Sequence, residues 1–129
     1  MNSKLVLKKN IIYPEFDTYG QTIYLPTYIP KGYIVDDINV KEGITTTRFV
    51  NDSKVLVFVQ VKSAGLGVDI DKDDYDTQKM KIGDKTGYFS KERDETIFTY
   101  YEEDYSFTIS GNLDKDQISK IVNSIEIYK

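Results

Sequence analysis

The chain has 129 residues, one domain's worth, and is long enough to bury a core without staples. It contains neither cysteine nor histidine, which removes a disulfide framework, thiolate metal sites and catalytic designs built on imidazole. Lys and Arg number 17 against 21 Asp and Glu, a net charge of −4, so neither nucleic acid nor an anionic membrane surface is an expected partner.

Residues 1–22 read as an N-terminal extension or edge segment, ahead of one α+β domain over 23–129. Leu5-Val6-Leu7 is too short for a signal-peptide core and suits an edge strand. No run approaches the roughly 18 apolar residues of a membrane-spanning helix, so the chain is not expected to insert into a membrane itself. All three prolines, Pro14, Pro26 and Pro30, fall early. Ile23 to Tyr33 therefore reads as an extended strap closing an edge or end of a sheet. Its rings make Tyr24, Tyr28 and Tyr33 candidate interaction residues. With 11 Tyr, 6 Phe and no Trp, most tyrosines are expected half-buried along sheet faces with hydroxyls in water.

Tyr33 to Val40 reads as a strand with Ile34, Ile38 and Val40 on one face. Glu42-Gly43 turns it into Ile44 to Val50, and 51–53 turns again into Val55 to Val61. That last run is apolar on both faces apart from Gln60, which predicts the most central strand or one covered on both sides. From Lys62 to Gln78 the alternation disappears, and Asp69, Asp71, Asp73, Asp74 and Asp76 crowd together with only Lys72 in opposition. Asp69-x-Asp71-x-Asp73 imitates the first three ligands of an EF-hand. Asp74 then stands where the loop needs glycine, and Met80 where it needs a bidentate Glu. The expectation is a solvated acidic loop, with weak calcium at most on Asp69, Asp71 and Asp73. Asp74 and Asp76 join the candidates for contact with a protein partner.

Met80 to Ile82 and Thr86 to Ser90 form a hairpin about Gly83-Asp84-Lys85, and Lys91 to Glu95 reads as a charged connection. Thr96 to Tyr101 and Tyr105 to Ser110 form the next hairpin across Glu102-Glu103-Asp104. A helix follows: Asp114 is its N-cap, Gln117 the capping-box partner, and Leu113 staples onto Ile118. Ile118, Ile121, Val122 and Ile125 supply the buried stripe. The predicted fold is α+β, an antiparallel sheet of about seven strands with one C-terminal amphipathic helix packed on a face.

Chemistry is sparse. Ser63-Ala64-Gly65-Leu66-Gly67 lacks the ending of a phosphate-binding loop, and no serine has lysine three residues downstream. The glutamates Glu92, Glu95, Glu102 and Glu103 lie near chain reversals, where acids serve solubility. The chain is expected to be non-enzymatic and to need no cofactor.

Leu25-Pro26-Thr27-Tyr28-Ile29-Pro30-Lys31-Gly32-Tyr33, with the ending Tyr105-x-Phe107-x-Ile109-Ser110-Gly111-Asn112-Leu113-Asp114-Lys115, resembles an uncharacterised family of Gram-positive, Firmicute-type domains. Such domains open with an LPxYxPxGY-like segment and close with a tyrosine strand, a turn and a helix. The resemblance covers Ile23 to Ile125 and departs from the family at Tyr100 and Tyr101, where a tryptophan is common. It implies an extracytoplasmic place, often C-terminal to an anti-sigma-factor-like region or within a lipoprotein. The expected role is sensing or protein interaction, tethered through sequence outside this chain. The alternatives are a carrier with an apolar cavity between sheet and helix, and a cytosolic inhibitor or immunity-type protein.

Overall fold

Alternating apolar and polar residues between two-residue turns build one large sheet. The computed structural model describes residues 5–8, 11–62 and 77–128. A small hairpin pairs β1 (Leu5–Lys8) with β2 (Ile11–Pro14). After β3 (Tyr24–Pro26) come β4 (Ile34–Lys41), β5 (Ile44–Asn51), β6 (Lys54–Lys62), β7 (Thr77–Ile82), β8 (Lys85–Glu92), β9 (Glu95–Glu102) and β10 (Tyr105–Gly111). Helix α1 (Lys115–Asn123) and β11 (Ile125–Ile127) complete the chain. The main sheet is antiparallel, in the order β4-β5-β6-β10-β9-β8-β7, and β11 pairs with β3. The fold is thus α+β, a seven-stranded antiparallel sheet with a C-terminal helix.

The hairpin turns are tight because residues after the strand ends accept the left-handed region. Asp52, Arg93 and Glu103 have φ near 55°, and Gly83 has φ 60°. Positive φ at such positions matches a two-residue loop to the twist of its strands. Arg93-Asp94 is therefore all that connects β8 to β9, and the residues expected as a charged linker, Lys91 to Glu95, mostly extend the two strands.

One face of the sheet carries the core. Phe49, Leu56, Phe58, Phe107, Ile109, Phe98 and Tyr100 project from it and are buried. Three coverings close over them. Tyr13 of β2 meets Phe49 edge-on at 6.2 Å, Tyr24 of β3 meets Phe107 at 5.0 Å, and the Lys115 ammonium of α1 lies 5.2 Å over the Phe89 ring. Ile11 and Tyr13, in the segment read as an extension, belong to the same buried cluster.

Gly87 shows how close the packing is. A Cβ there would stand 2.5 Å from Phe98 Cζ and 2.5 Å from the Thr99 carbonyl, so only glycine fits.

Three expectations are corrected. Ile34 is 66% exposed, because a bulge between Val35 and Asp37 resets the alternation and turns Val35 inward with Ile38 and Val40. The central strand is β10, flanked by β6 and β9. Val55, Val57, Val59 and Val61 of β6 face the other way, where no described element packs over them. The helix stops before Ile125. Ser124 caps it, its Oγ donating to Ile121 O at 2.7 Å while its carbonyl accepts from Thr27 N and Thr27 Oγ1. Periodicity alone cannot show that the strap takes Ile125 into a strand pair with Pro26.

The N-terminus of α1 follows the sequence closely. Asp114 Oδ1 accepts from Gln117 N at 2.8 Å, and Gln117 Oε1 accepts from Asp114 N at 3.0 Å, a reciprocal capping box. Ile118, Ile121 and Val122 are buried, as is Leu113.

Candidate functional site

The segment 17–24 crosses the end of the core face as a loop held by side chains. Asp17 Oδ1 accepts from Tyr19 N at 2.8 Å, and Gln21 N donates to Thr18 O at 3.0 Å. Tyr19 and Gly20, with φ 52° and 76°, have the pair of positive values of a type I′ turn. Two glutamines then clamp the loop to the sheet. Gln21 donates to Lys41 O at 3.1 Å and accepts from Gly43 N at 2.9 Å. Gln60, buried on the inner face of β6, donates to Thr22 O at 2.7 Å and accepts from Tyr24 N at 2.8 Å.

The result is a fixed turn that carries Tyr19 out into solvent, 69% exposed. A non-glycine residue at positive φ is uncommon, and both clamps serve to hold it there. A groove of about 830 Å³ opens beside it, walled by residues 19–22, by Val40, Glu42 and Gly43, and by Gln60, Lys62 and Tyr105. Its volume is in the range of small-ligand and peptide pockets. A smaller groove of about 230 Å³ lies against Tyr19 and Val40 as well, and includes Asp17 and Asp37. Tyr19 is the ridge shared by both.

The aromatic wall is continuous with the core. Tyr105 meets Tyr24 at 5.3 Å and Phe107 at 6.0 Å. Burial pushes the Tyr24 phenol above its usual range, and Tyr105, Glu103 and Glu102 add to the shift, so it stays a neutral donor at physiological pH. Outside the groove, on β8, Lys85 lies 3.1 Å from Glu102 and 3.6 Å from Asp84, with its ammonium 5.7 Å over the Tyr100 ring. Burial, the largest single influence, lowers its pKa, but the two carboxylates together outweigh it and leave the group raised and charged. The groove offers two phenol rings, an ammonium at Lys62 and a carboxylate at Glu42, on a floor whose amide is already committed. This arrangement suits recognition of a polar chain with flat or aliphatic side groups.

The tyrosines singled out from sequence go to separate places. Tyr24 reaches the aromatic wall. Tyr28 donates its backbone N–H to Ser124 Oγ at 3.0 Å, beside the end of α1. Tyr33 opens the approach to β4, its N–H donating to Pro30 O at 3.3 Å, and burial raises its phenol. Tyr19 and Tyr105, which flank the groove, were not among the candidates. The signal for Tyr19 was Asp17-Thr18-Tyr19-Gly20, an aspartate and a glycine spaced for a turn. Asp69, Asp71, Asp73, Asp74 and Asp76 lie outside the described residues. Among the described residues no group of three or more acidic side chains is placed to hold a metal ion.

A third groove, about 690 Å³, lies at the opposite end of the sheet. There β10 stops at Gly111, leaving a gap between the turns at Asp52-Ser53 and Arg93-Asp94.

Residues 23–125 match the family model of the DUF4367 domain of unknown function. The chain belongs to that family, which spans the strap, the whole main sheet and the helix. No curated protein matches the chain.

Proposed function

We propose that the chain is a non-enzymatic sensing or protein-interaction domain, extracytoplasmic in a Gram-positive cell, tethered there through sequence outside this chain, and recognising an extended polypeptide in the Tyr19 groove. The observation that carries this reading is the doubly clamped turn. Gln21 and Gln60 each use both ends of an amide to fix a loop whose outermost feature is a solvent-facing ring. A ring whose backbone is fixed before contact has less freedom to lose on binding, which suits such a tyrosine to serve as an anchor.

The space between sheet and helix weighs against a carrier. Phe89, Phe98, Leu113, Ile118, Ile121 and Val122 stand there, all buried in one cluster. The family match supports an uncharacterised domain but adds no partner. The test is selection of binders from a random dodecapeptide display library, followed by titration against Tyr19→Ala and Lys62→Glu. Loss of at least about tenfold in affinity in both variants supports the groove, whereas peptides that bind them as well as the parent domain refute it. Protease treatment of intact cells carrying the full-length protein tests the location, and a domain that survives while surface proteins are cut refutes it.

A further inference from the structure

β4 is an edge of the main sheet, and its pairing with β5 fixes which backbone groups that edge presents. The two-residue turn Glu42-Gly43 makes Lys41 and Ile44 a hydrogen-bonded pair. Lys62 N, donating to Gly43 O at 2.8 Å, carries the same alternation on into β6. Lys41, Asn39 and Asp37 therefore turn their backbone groups to β5, whereas the N–H and C=O of Ile38 and Val40 point away from it. Among the described residues nothing pairs with these four groups. β2, which comes close to β4, pairs with β1 instead. The groove of about 230 Å³ opens along this stretch, against residues 37–40, so solvent reaches the edge.

Unpaired backbone groups in a row are a template for another strand. The bulge sets the length of this one. Between Val35 and Asp37 the register shifts, and Asp36 is already bridged to Arg48 at 3.0 Å. Pairing is thereby confined to residues 37–41.

We propose that the occupant is β4 of a second copy of this chain, paired antiparallel about a two-fold axis at Asn39. The edge is its own complement. Asp37-Ile38-Asn39-Val40-Lys41 reads acid, apolar, polar, apolar, base, and reversing it sets each charge against its opposite. In this register Ile38 of each copy bonds Val40 of the other, so all four free groups of both chains are paired. A shift of two residues either way sets Val40 against the bulge at Asp36, or Ile38 against the turn at Glu42.

Asp37 then lies opposite Lys41 of the other copy, in the non-hydrogen-bonded rows where side chains stand closest. Asp37, Asn39 and Lys41 are all exposed, and among the described residues no ion pair engages either charge. Ile38 meets Val40 beside the core that both already touch. Asp36 comes toward Glu42 of the other copy, and Arg48 offsets that repulsion. Two pairs of backbone rungs fall below the roughly 1,200 Å² of stable interfaces, so the dimer is weak and forms at high concentration. Being isologous, the contact closes on itself and leaves no second β4 edge to extend a filament. Tyr19 lines the same small groove, but the inference uses only the backbone and charges of β4, so it and the peptide reading can each fail alone.

The test is sedimentation equilibrium of the 129-residue chain from about 10 μM to about 1 mM, with charge reversals at the exposed positions. A monomer–dimer equilibrium is expected. Asp37→Lys alone and Lys41→Asp alone each turn two attractions into two repulsions, and each should weaken it at least about tenfold. An equimolar mixture of these two variants should regain association, because every 37–41 contact in the mixed dimer is again a pair of opposite charges. Asn39→Cys, in this cysteine-free chain, should oxidise to a disulfide with its own copy, and Asp37→Lys added to it should slow that reaction. A chain that stays monomeric at every concentration overturns the proposal, even where another protein pairs with this edge. A dimer that ignores both reversals, or a mixture that associates no better than either variant alone, overturns it too.

Discussion

Gln60→Leu should loosen the loop that presents Tyr19 while leaving the sheet standing. Gln60 is 5% exposed, and its amide satisfies one backbone acceptor at 2.7 Å and one backbone donor at 2.8 Å. Leucine keeps about the same volume but leaves Thr22 O and Tyr24 N without a partner. Each orphaned group costs about 1–3 kcal/mol, and added apolar contact returns part of that. The expected net loss is about 2–4 kcal/mol, a large share of a typical domain's stability. Urea denaturation reads it directly, and amide exchange at Tyr24 should quicken.

Gln60→Glu separates hydrogen bonding from shape. A carboxylate can accept from Tyr24 N, but it repels Thr22 O, which needs a donor, and only the protonated acid serves both. The folded state therefore raises the acid's pKa above its ordinary value near ~4.3. Stability relative to the parent should be best below pH ~4 and fall as pH rises through the folded-state pKa. A leucine variant within about 0.5 kcal/mol of the parent, the scatter of ordinary surface changes, would show that the amide is no clamp. A glutamate variant that gains stability with rising pH would refute the assignment of donor and acceptor.

Tyr13→Phe should cost about 1–2 kcal/mol in chemical denaturation, because the buried hydroxyl donates to Pro26 O at 2.6 Å. Tyr100→Phe should be neutral or stabilising, since its buried hydroxyl has no hydrogen-bond partner among the described residues, and equal costs in the two variants would contradict that difference. Burial raises both phenols above the ordinary 10.0, so their share of stability is complete below pH 10 and is lost as pH rises beyond it. Ultraviolet titration should show two tyrosines ionising only as the chain unfolds. Gly87→Ala should cost about 1–3 kcal/mol or more, and a variant that melts with the parent would mean that Phe98 moves aside freely. In the helix, Ile121→Ala should cost about 2–5 kcal/mol and Asp114→Ala about 1, and urea melts that reverse this order would place the stripe wrongly.

What was legible in the sequence was local. The hairpins announce themselves because alternation and turn residues lie within a few positions, and the capping box spans only Asp114 to Gln117. What was not legible depends on groups far apart in the chain. One inserted residue at the β4 bulge hides behind a run that alternates acceptably without it, so alternation alone points Ile34 inward. Val55 to Val61 reads as the most central strand because its apolar run does not show which strands flank it. Its place beside the centre is decided by β10, which enters between β6 and β9 some 45 residues later.

The candidate site shows the same limit more sharply. Gln60 read as the one blemish in an apolar strand, yet a buried amide persists only where partners meet it. Those partners are backbone groups at Thr22 and Tyr24, about 38 residues upstream. Gln21 likewise reaches across to Lys41 and Gly43. A polar residue on the inner face of a strand is thus a sign that some other segment crosses there. The segment just before Tyr24 is the one that crosses at Gln60, and Tyr19 is the tyrosine it exposes.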